Sequence, residues 1–200
     1  GKTGTMAILP FGISSGRTLV IAPNLEIRDT LKRIFDFSSE ESFYRRARVL
    51  SNGAVPTAAV LDADATLTDA DNADFVITNI QQLAANSSPK WLGNLPPDYF
   101  DLILVDEGHH NVAESWQGVF GHFARAKVAS FTATPLRSDG KRVEGQRIYH
   151  FPITAAIRDG YVRDIASRRL HPQEIYFSYS GSTHRHTLDE VLKLREEAWF

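Results

Sequence analysis

Asp101-Leu102-Ile103-Leu104-Val105-Asp106-Glu107-Gly108-His109-His110 is the stretch on which the fold of this chain turns. Leu102 to Val105 include no polar residue. An unbroken apolar run predicts a central strand of a parallel sheet covered on both faces, whereas a half-exposed edge strand would alternate. The run ends in two carboxylates, Asp106 and Glu107, and in open α/β sheets the carboxyl ends of strands are where ligands sit. Adjacent residues in extended or turning backbone point in different directions. One acid can therefore hold a cation while the other orients or deprotonates water. Such a pair needs a phosphate-binding partner elsewhere in the chain.

Gly1-Lys2-Thr3 reads as the last three positions of the phosphate-binding loop G-x-x-x-x-G-K-[ST]. Alone this tripeptide is common, and an ordinary helix start would explain it. Three further blocks stand in order along the chain: Val20-Ile-Ala-Pro-Asn24, Val76-Ile-Thr-Asn-Ile-Gln-Gln-Leu83 and Phe131-Thr-Ala-Thr-Pro-Leu-Arg-Ser-Asp-Gly140. With these and Asp106-Glu107-Gly108-His109, the chain resembles the superfamily-two helicases and translocases. More narrowly, it is similar to the branch related to the helicase subunits of type III restriction enzymes. The blocks correspond to the end of motif I, motifs Ia and Ib, the DExH form of motif II, and motif III. The resemblance covers most of residues 1 to 165, and little of it extends beyond.

The resemblance implies ATP and Mg2+ as cofactors and an ATP-dependent helicase or translocase as the activity. Gly1, Lys2 and Thr3 would meet the phosphates, with Lys2 on the β and γ groups and the Thr3 hydroxyl on Mg2+. Asp106 would hold Mg2+ and Glu107 would activate the attacking water. His109 would link the nucleotide site to motif III through Thr132 and Thr134. Pro23, Asn24, Thr78 and Asn79 are nucleic-acid candidates by resemblance alone, and Asn24 equally suits a helix cap. The expected partners are nucleic acid, with double-stranded DNA favoured, a second motor domain of the same protein, and a nuclease or methyltransferase.

Composition bounds the alternatives. A chain of 200 residues with 42% hydrophobic content can bury one sizeable core. Its 22 Lys plus Arg against 24 Asp plus Glu give a formal charge of -2, so nucleic acid must be met by a local patch. The absence of cysteine excludes disulfide scaffolds and thiolate metal sites. Neither a membrane-length apolar run nor a signal peptide is recognisable, so a cytoplasmic location is expected. A zinc site at Asp106, Glu107, His109 and His110 fits poorly: the order does not match His-Glu-x-x-His, and no third distant ligand is evident. His184-x-His186 is expected in a loop.

Along the chain, strands are expected at Arg17 to Ala22, Thr57 to Leu61, Phe75 to Thr78, Leu102 to Val105 and Lys127 to Phe131. A helix over residues 1 to 9 should close at Pro10 and Gly12. A second helix should carry the apolar stripe Ile27, Leu31, Ile34 and Phe35. A third, near residues 40 to 50, should turn Phe43, Ala47 and Leu50 inward and leave Arg45, Arg46 and Arg48 as a solvated face. Asp62-x-Asp64-x-Thr66 begins like a calcium loop, yet Leu67 stands where Gly is required and Ala73 where Glu should be, so an acidic surface loop is expected. Trp116, Val119, Phe120 and Phe123 mark a helix after the acid pair. Ile153 to Asp159 marks another, ended by Gly160, and Thr187-Leu-Asp-Glu190 forms a capping box.

Strands and helices in alternation predict an α/β fold: a RecA-like, mostly parallel sheet with helices on both faces, as in P-loop NTPases. Because Gly1 falls inside a motif, residues 1–165 are expected to be an ATP-binding motor domain lacking its first strand. Residues 166–200 are expected to lead toward an absent second domain. The isolated piece should then hydrolyse ATP weakly or not at all. Two other functions compete: a non-hydrolysing NTPase-like docking module, against which the intact Asp106-Glu107 pair argues, and a restriction or defence translocase that never separates strands.

Overall fold

The structure is a computed structural model describing residues 1–50, 53, 55–84, 91–107, 114–133, 145–163, 175–179, 182–187 and 190. Chain contacts divide it into two compact units, Gly1–Gly145 and Gln146–Phe200. The first unit is built on five strands: β1 (Thr18–Ala22), β2 (Ala58–Val60), β3 (Phe75–Asn79), β4 (Leu102–Asp106) and β5 (Lys127–Phe131). Their order is β2-β3-β1-β4-β5, and each neighbouring pair is parallel. Val20 of β1 stands between Ile77 of β3 and Leu104 of β4. From β1 the chain runs to β2 and β3 on one side, then crosses back to β4 and β5. The winding thus reverses around β1 and β4, the kind of place where α/β sheets open a crevice at their carboxyl ends.

Alternate residues of each central strand feed opposite cores. Leu19, Ile21, Val76, Ile103 and Val105 pack with Leu83, Trp116, Val119 and Phe123. Val20, Ala22, Ile77, Leu102 and Leu104 pack with Met6, Ala7, Leu31, Phe35 and Tyr44. The first set of partners comes from α6 (Ile80–Ala84), α7 (Glu114–His122) and the turn after it. The second comes from α1 (Lys2–Ile8), α3 (Leu25–Phe35) and α4 (Phe43–Ala47). Helices therefore cover both faces of a parallel sheet, as the apolar runs require. Each of the four apolar side chains of β4 is fully buried. At roughly 1.5 to 3 kcal/mol for each large aliphatic chain, β4 is among the elements least able to open locally. The acid pair is carried on that strand.

Several elements differ from the sequence expectation. The first helix ends at Ile8 with Leu9 as its cap, directly before Pro10 as expected, but Pro10 then opens a further helical turn, α2 (Pro10–Ile13). Proline lacks the amide hydrogen that a first helical residue leaves unbonded anyway, so it suits that position. The helix expected near residues 40 to 50 is only α4. Arg48 ends it at φ 51; Tyr44 is fully buried, Phe43 and Leu50 pack part-buried against the core as expected, and Ala47 is exposed. The acidic segment holds a helix, α5 (Leu67–Asp71), with a reciprocal capping box between Thr66 and Asp69. That pattern, Thr-x-x-Asp before Ala70, was legible as a helix start.

The second unit contains α8 (Ile153–Arg158), followed by Gly160 at φ 77, a left-handed conformation that glycine adopts without strain. It also contains an antiparallel pair, β6 (Ile175–Tyr179) and β7 (Ser182–His186). His184 and His186 thus lie on a strand and not in a loop. The expected capping box is present: the Thr187 amide donates to Glu190 at 2.9 Å and the Glu190 amide to the Thr187 hydroxyl at 3.4 Å. Among the described residues no helix is long and apolar enough to cross a membrane.

Candidate active site

The end of β4 delivers Asp106 at 8% exposure, still inside the sheet. Glu107 follows with φ 52, the left-handed region that a non-glycine residue enters only at a cost. This turn takes Glu107 off the strand direction, and its amide donates to Asp106 Oδ1 at 3.0 Å. Lys2, in the first turn of α1, brings its ammonium to both acids. It lies 2.6 Å from Asp106 Oδ1 and donates to Glu107 Oε1. Burial alone would lower the Lys2 pKa, but hydrogen bonds to the two carboxylates and their charges outweigh it and hold the group above the ordinary lysine value. Residues more than a hundred positions apart thus form one charged cluster.

β5 completes the cluster. Phe131 is the register partner of Asp106, so Thr132 emerges beside Glu107, and its hydroxyl donates to Glu107 Oε2 at 3.4 Å. One oxygen of Glu107 faces a cation and the other a hydroxyl. The oxygen donors offered here to a hard divalent cation are the carboxylates of Asp106 and Glu107. Among the described residues no group of three or more His, Asp and Glu side chains could hold a metal by itself. Gly108, His109, His110 and Thr134 lie outside the described residues.

The family model described as the type III restriction enzyme res subunit, ResIII, matches residues 1–137. The chain belongs to this family. Two curated relatives are similar to parts of it. "Putative ATP-dependent helicase IRC3" of Saccharomyces cerevisiae is 27% identical over 103 residues, covering 47% of this chain and 14% of that protein. "Type I restriction enzyme EcoAI endonuclease subunit" of Escherichia coli is 31% identical over 72 residues, covering 33% of this chain and 9% of that protein. The chain thus spans a small part of the length of either relative.

The remaining candidate residues of this ResIII chain lie at the carboxyl ends of β1 and β3. Asn24 caps α3, its side-chain oxygen accepting from the Ile27 amide at 2.9 Å. Thr78 is fully buried and donates to the Leu61 carbonyl at 2.7 Å, so its hydroxyl serves the sheet edge. Asn79, opposite Ala22, is 7% exposed, and among the described residues its buried Oδ1 has no hydrogen-bond partner. Pro23 is half-buried in the bend between Ala22 and Asn24.

Sequence reasoning missed the support behind Lys2. The buried Tyr44 hydroxyl donates to the Ala7 carbonyl at 2.9 Å and ties α4 to α1. Phe43 packs so closely on Gly4 that a Cβ there would come within 2.8 Å of its ring. No local signal marks these contacts, because they join residues nearly forty positions apart.

A cleft of about 530 Å³ opens at the opposite, amino edge of the sheet. Its Asp101 accepts hydrogen bonds from Ser14, Ser15 and Gly16. It buttresses a turn, far along the strand from the acid pair.

Proposed function

We propose that this chain is the ATP-binding motor domain of an ATP-dependent helicase or translocase acting on nucleic acid, with double-stranded DNA as substrate. The observation that carries the reading is the cluster in which the Lys2 ammonium meets Asp106 and Glu107 while Thr132 holds the second oxygen of Glu107. Membership of the ResIII family and the similarity to a protein named as an ATP-dependent helicase support it. In this reading residues 1–165 form the motor domain, and residues 166–200 lead toward a second motor domain of the same protein.

The chemistry follows from the charges. In the cluster one ammonium faces two carboxylates, so one negative charge is left over. A polyphosphate competes for Lys2, which then meets the β and γ phosphates as Gly1 and Thr3 flank them. Bound Mg2+ would neutralise phosphate charge, with Asp106 and the Thr3 hydroxyl as its protein ligands; hard oxygen donors of this kind suit that ion. Glu107, already turned out of the strand, accepts a proton from the water that attacks the terminal phosphorus, while the bond from that phosphorus to the β–γ bridging oxygen breaks and ADP leaves. Thr132 keeps the carboxylate from rotating. Pro23, Asn24, Thr78 and Asn79 form the nucleic-acid edge. Thr78 and Asn79, both buried, would support that edge from behind, and Pro23 and Asn24 are its more accessible members.

A second reading, a restriction translocase that moves on DNA without separating strands, is favoured by similarity to a protein named as a type I restriction endonuclease subunit. A nuclease or methyltransferase would then be a partner. The test is ATP hydrolysis by the full-length protein with and without duplex DNA, in the wild type and in Lys2→Ala. The expected outcome is DNA-stimulated hydrolysis in the wild type and weakened ATP binding in the variant. Undiminished ATP affinity in Lys2→Ala would overturn the phosphate assignment.

A further inference from the structure

The formal charge of the chain is -2, yet residues 146 to 186 carry six arginines, no lysine and three acids, a local excess of +3. The same stretch holds four of the six tyrosines. Of these rings, Tyr149, Tyr161 and Tyr176 are 77%, 78% and 61% exposed, so they serve a surface and not a core. Within the stretch, the hairpin of β6 and β7 sets such groups in register. Tyr176 stands directly opposite Arg185, and directly opposed residues of an antiparallel pair lie on the same face. Thr183 comes two positions before Arg185 and shares that face, because side chains alternate along a strand. Arg185 and Thr183 are exposed as well. One face of the hairpin thus presents an aromatic ring, a guanidinium and a hydroxyl to solvent.

We infer that this face holds a single strand of nucleic acid, with Tyr176 stacking on an unpaired base while Arg185 and Thr183 meet the phosphates beside it. The inference rests on reading this chain as part of a nucleic-acid motor. A local excess of positive charge in an acidic chain selects a polyanion as the partner. Arginine suits that partner better than lysine does, since its planar fork pairs with phosphate oxygens and its flat face also stacks on rings. The Thr183 hydroxyl adds a neutral donor to the same backbone, as is common in nucleic-acid contacts. The tyrosine decides between one strand and two. Inside a duplex both faces of every base are already stacked on neighbours, so an exposed ring finds no partner there. An unpaired base offers its face, and stacking on it tolerates any sequence because every base has one. A face that holds one strand has a use only where strands are parted, which favours a helicase over a translocase that never separates them.

The test is equilibrium binding of the full-length protein to a single-stranded DNA oligonucleotide and to a duplex of the same sequence, over a series of salt concentrations. Tyr176→Leu should weaken single-strand affinity about ten-fold, in the range of one lost base stack. Tyr176→Phe keeps the ring and should stay within about two-fold of wild type. Arg185→Gln should lower the slope of log affinity against log salt by about 0.7, as one lost phosphate contact on a single strand does. Duplex affinity should stay within about two-fold in every variant, because the stack and the contact belong to the unpaired strand. Both positions are exposed, so thermal midpoints should match wild type. If wild type binds DNA but Tyr176→Leu holds the single strand equally well, the hairpin face is wrong and the motor reading stands. Equal losses on single strand and duplex, or equal losses in Tyr176→Leu and Tyr176→Phe, would likewise overturn the stacking assignment. If wild type binds neither oligonucleotide, the hairpin face and the motor reading fall together.

Discussion

Glu107 concentrates the strain of this site. A non-glycine residue at φ 52 is costly, by roughly 1 to 3 kcal/mol for sparsely populated backbone regions, and persists only where the surroundings hold it. Here its amide is bonded to Asp106, one carboxylate oxygen to Lys2 and the other to Thr132. Those three contacts fix the carboxylate before any substrate arrives. Glu107→Gln keeps the shape and the backbone turn but cannot take a proton. In the full-length protein, ATP binding by Glu107→Gln should stay within about two-fold of wild type, while turnover falls by about 10² to 10⁴. Parallel titration and steady-state hydrolysis measure both, and near-normal turnover would remove Glu107 from the catalytic role.

At the scale of elements, Asn24 has two possible duties that one pair of substitutions separates. As the cap of α3 it satisfies an amide that would otherwise lack a partner. Asn24→Ala should lower the stability of the domain by about 1 kcal/mol. Asp is an equally good cap, so Asn24→Asp should leave the thermal midpoint unchanged while setting a carboxylate against any phosphate backbone nearby. Nucleic-acid affinity should then fall several-fold, and more steeply at low salt. Equal affinity in the Asp variant and wild type would leave Asn24 as a cap and nothing more.

For the molecule as a whole, the link from hydrolysis to movement is expected to pass through β5, whose last residue pairs with Asp106 and whose next residue touches Glu107. Replacing Thr132 and Thr134 together with Ala should slow hydrolysis several-fold and raise the ATP consumed per base pair travelled. If that ratio stays constant while thermal stability is unchanged, Thr132 merely steadies Glu107 and the coupling role fails. Stability should also depend on acid pH. The Ser15 amide, with help from the Ser14 and Ser15 hydroxyls and the Gly16 amide, holds Asp101 below the usual 3.8. Asp36 is held low too, since bonds from Ser38 and Lys32 outweigh the effect of its burial. A depressed folded-state pKa stabilises above the unfolded value, and the gain is lost as pH falls through the folded one. The thermal midpoint should therefore drop as pH goes from about 4 downward, and less so in Asp101→Asn. Identical acid profiles for the two proteins would exclude Asp101 as a contributor.

The order of strands and helices, the central place of Leu102 to Val105 and the delivery of two acids at its end were legible in the sequence. Unbroken apolar runs can only be buried on both faces, and an acid after such a run has only the sheet's carboxyl edge to occupy. The stripe on α3 and the box at Thr187 were legible for the same reason: period and capping are local. What only the tertiary structure decided was which distant groups meet. Nothing near Lys2 in the chain says that its ammonium will lie between Asp106 and Glu107. Nothing near Glu107 announces a left-handed backbone, since no glycine or asparagine occupies the position. Tyr44 turned inward beside the part-buried Phe43 because a five-residue helix is oriented by its contacts with α1, not by its own periodicity. Thr132 reached Glu107 because the register of β4 against β5 set it there, and register belongs to the packed sheet.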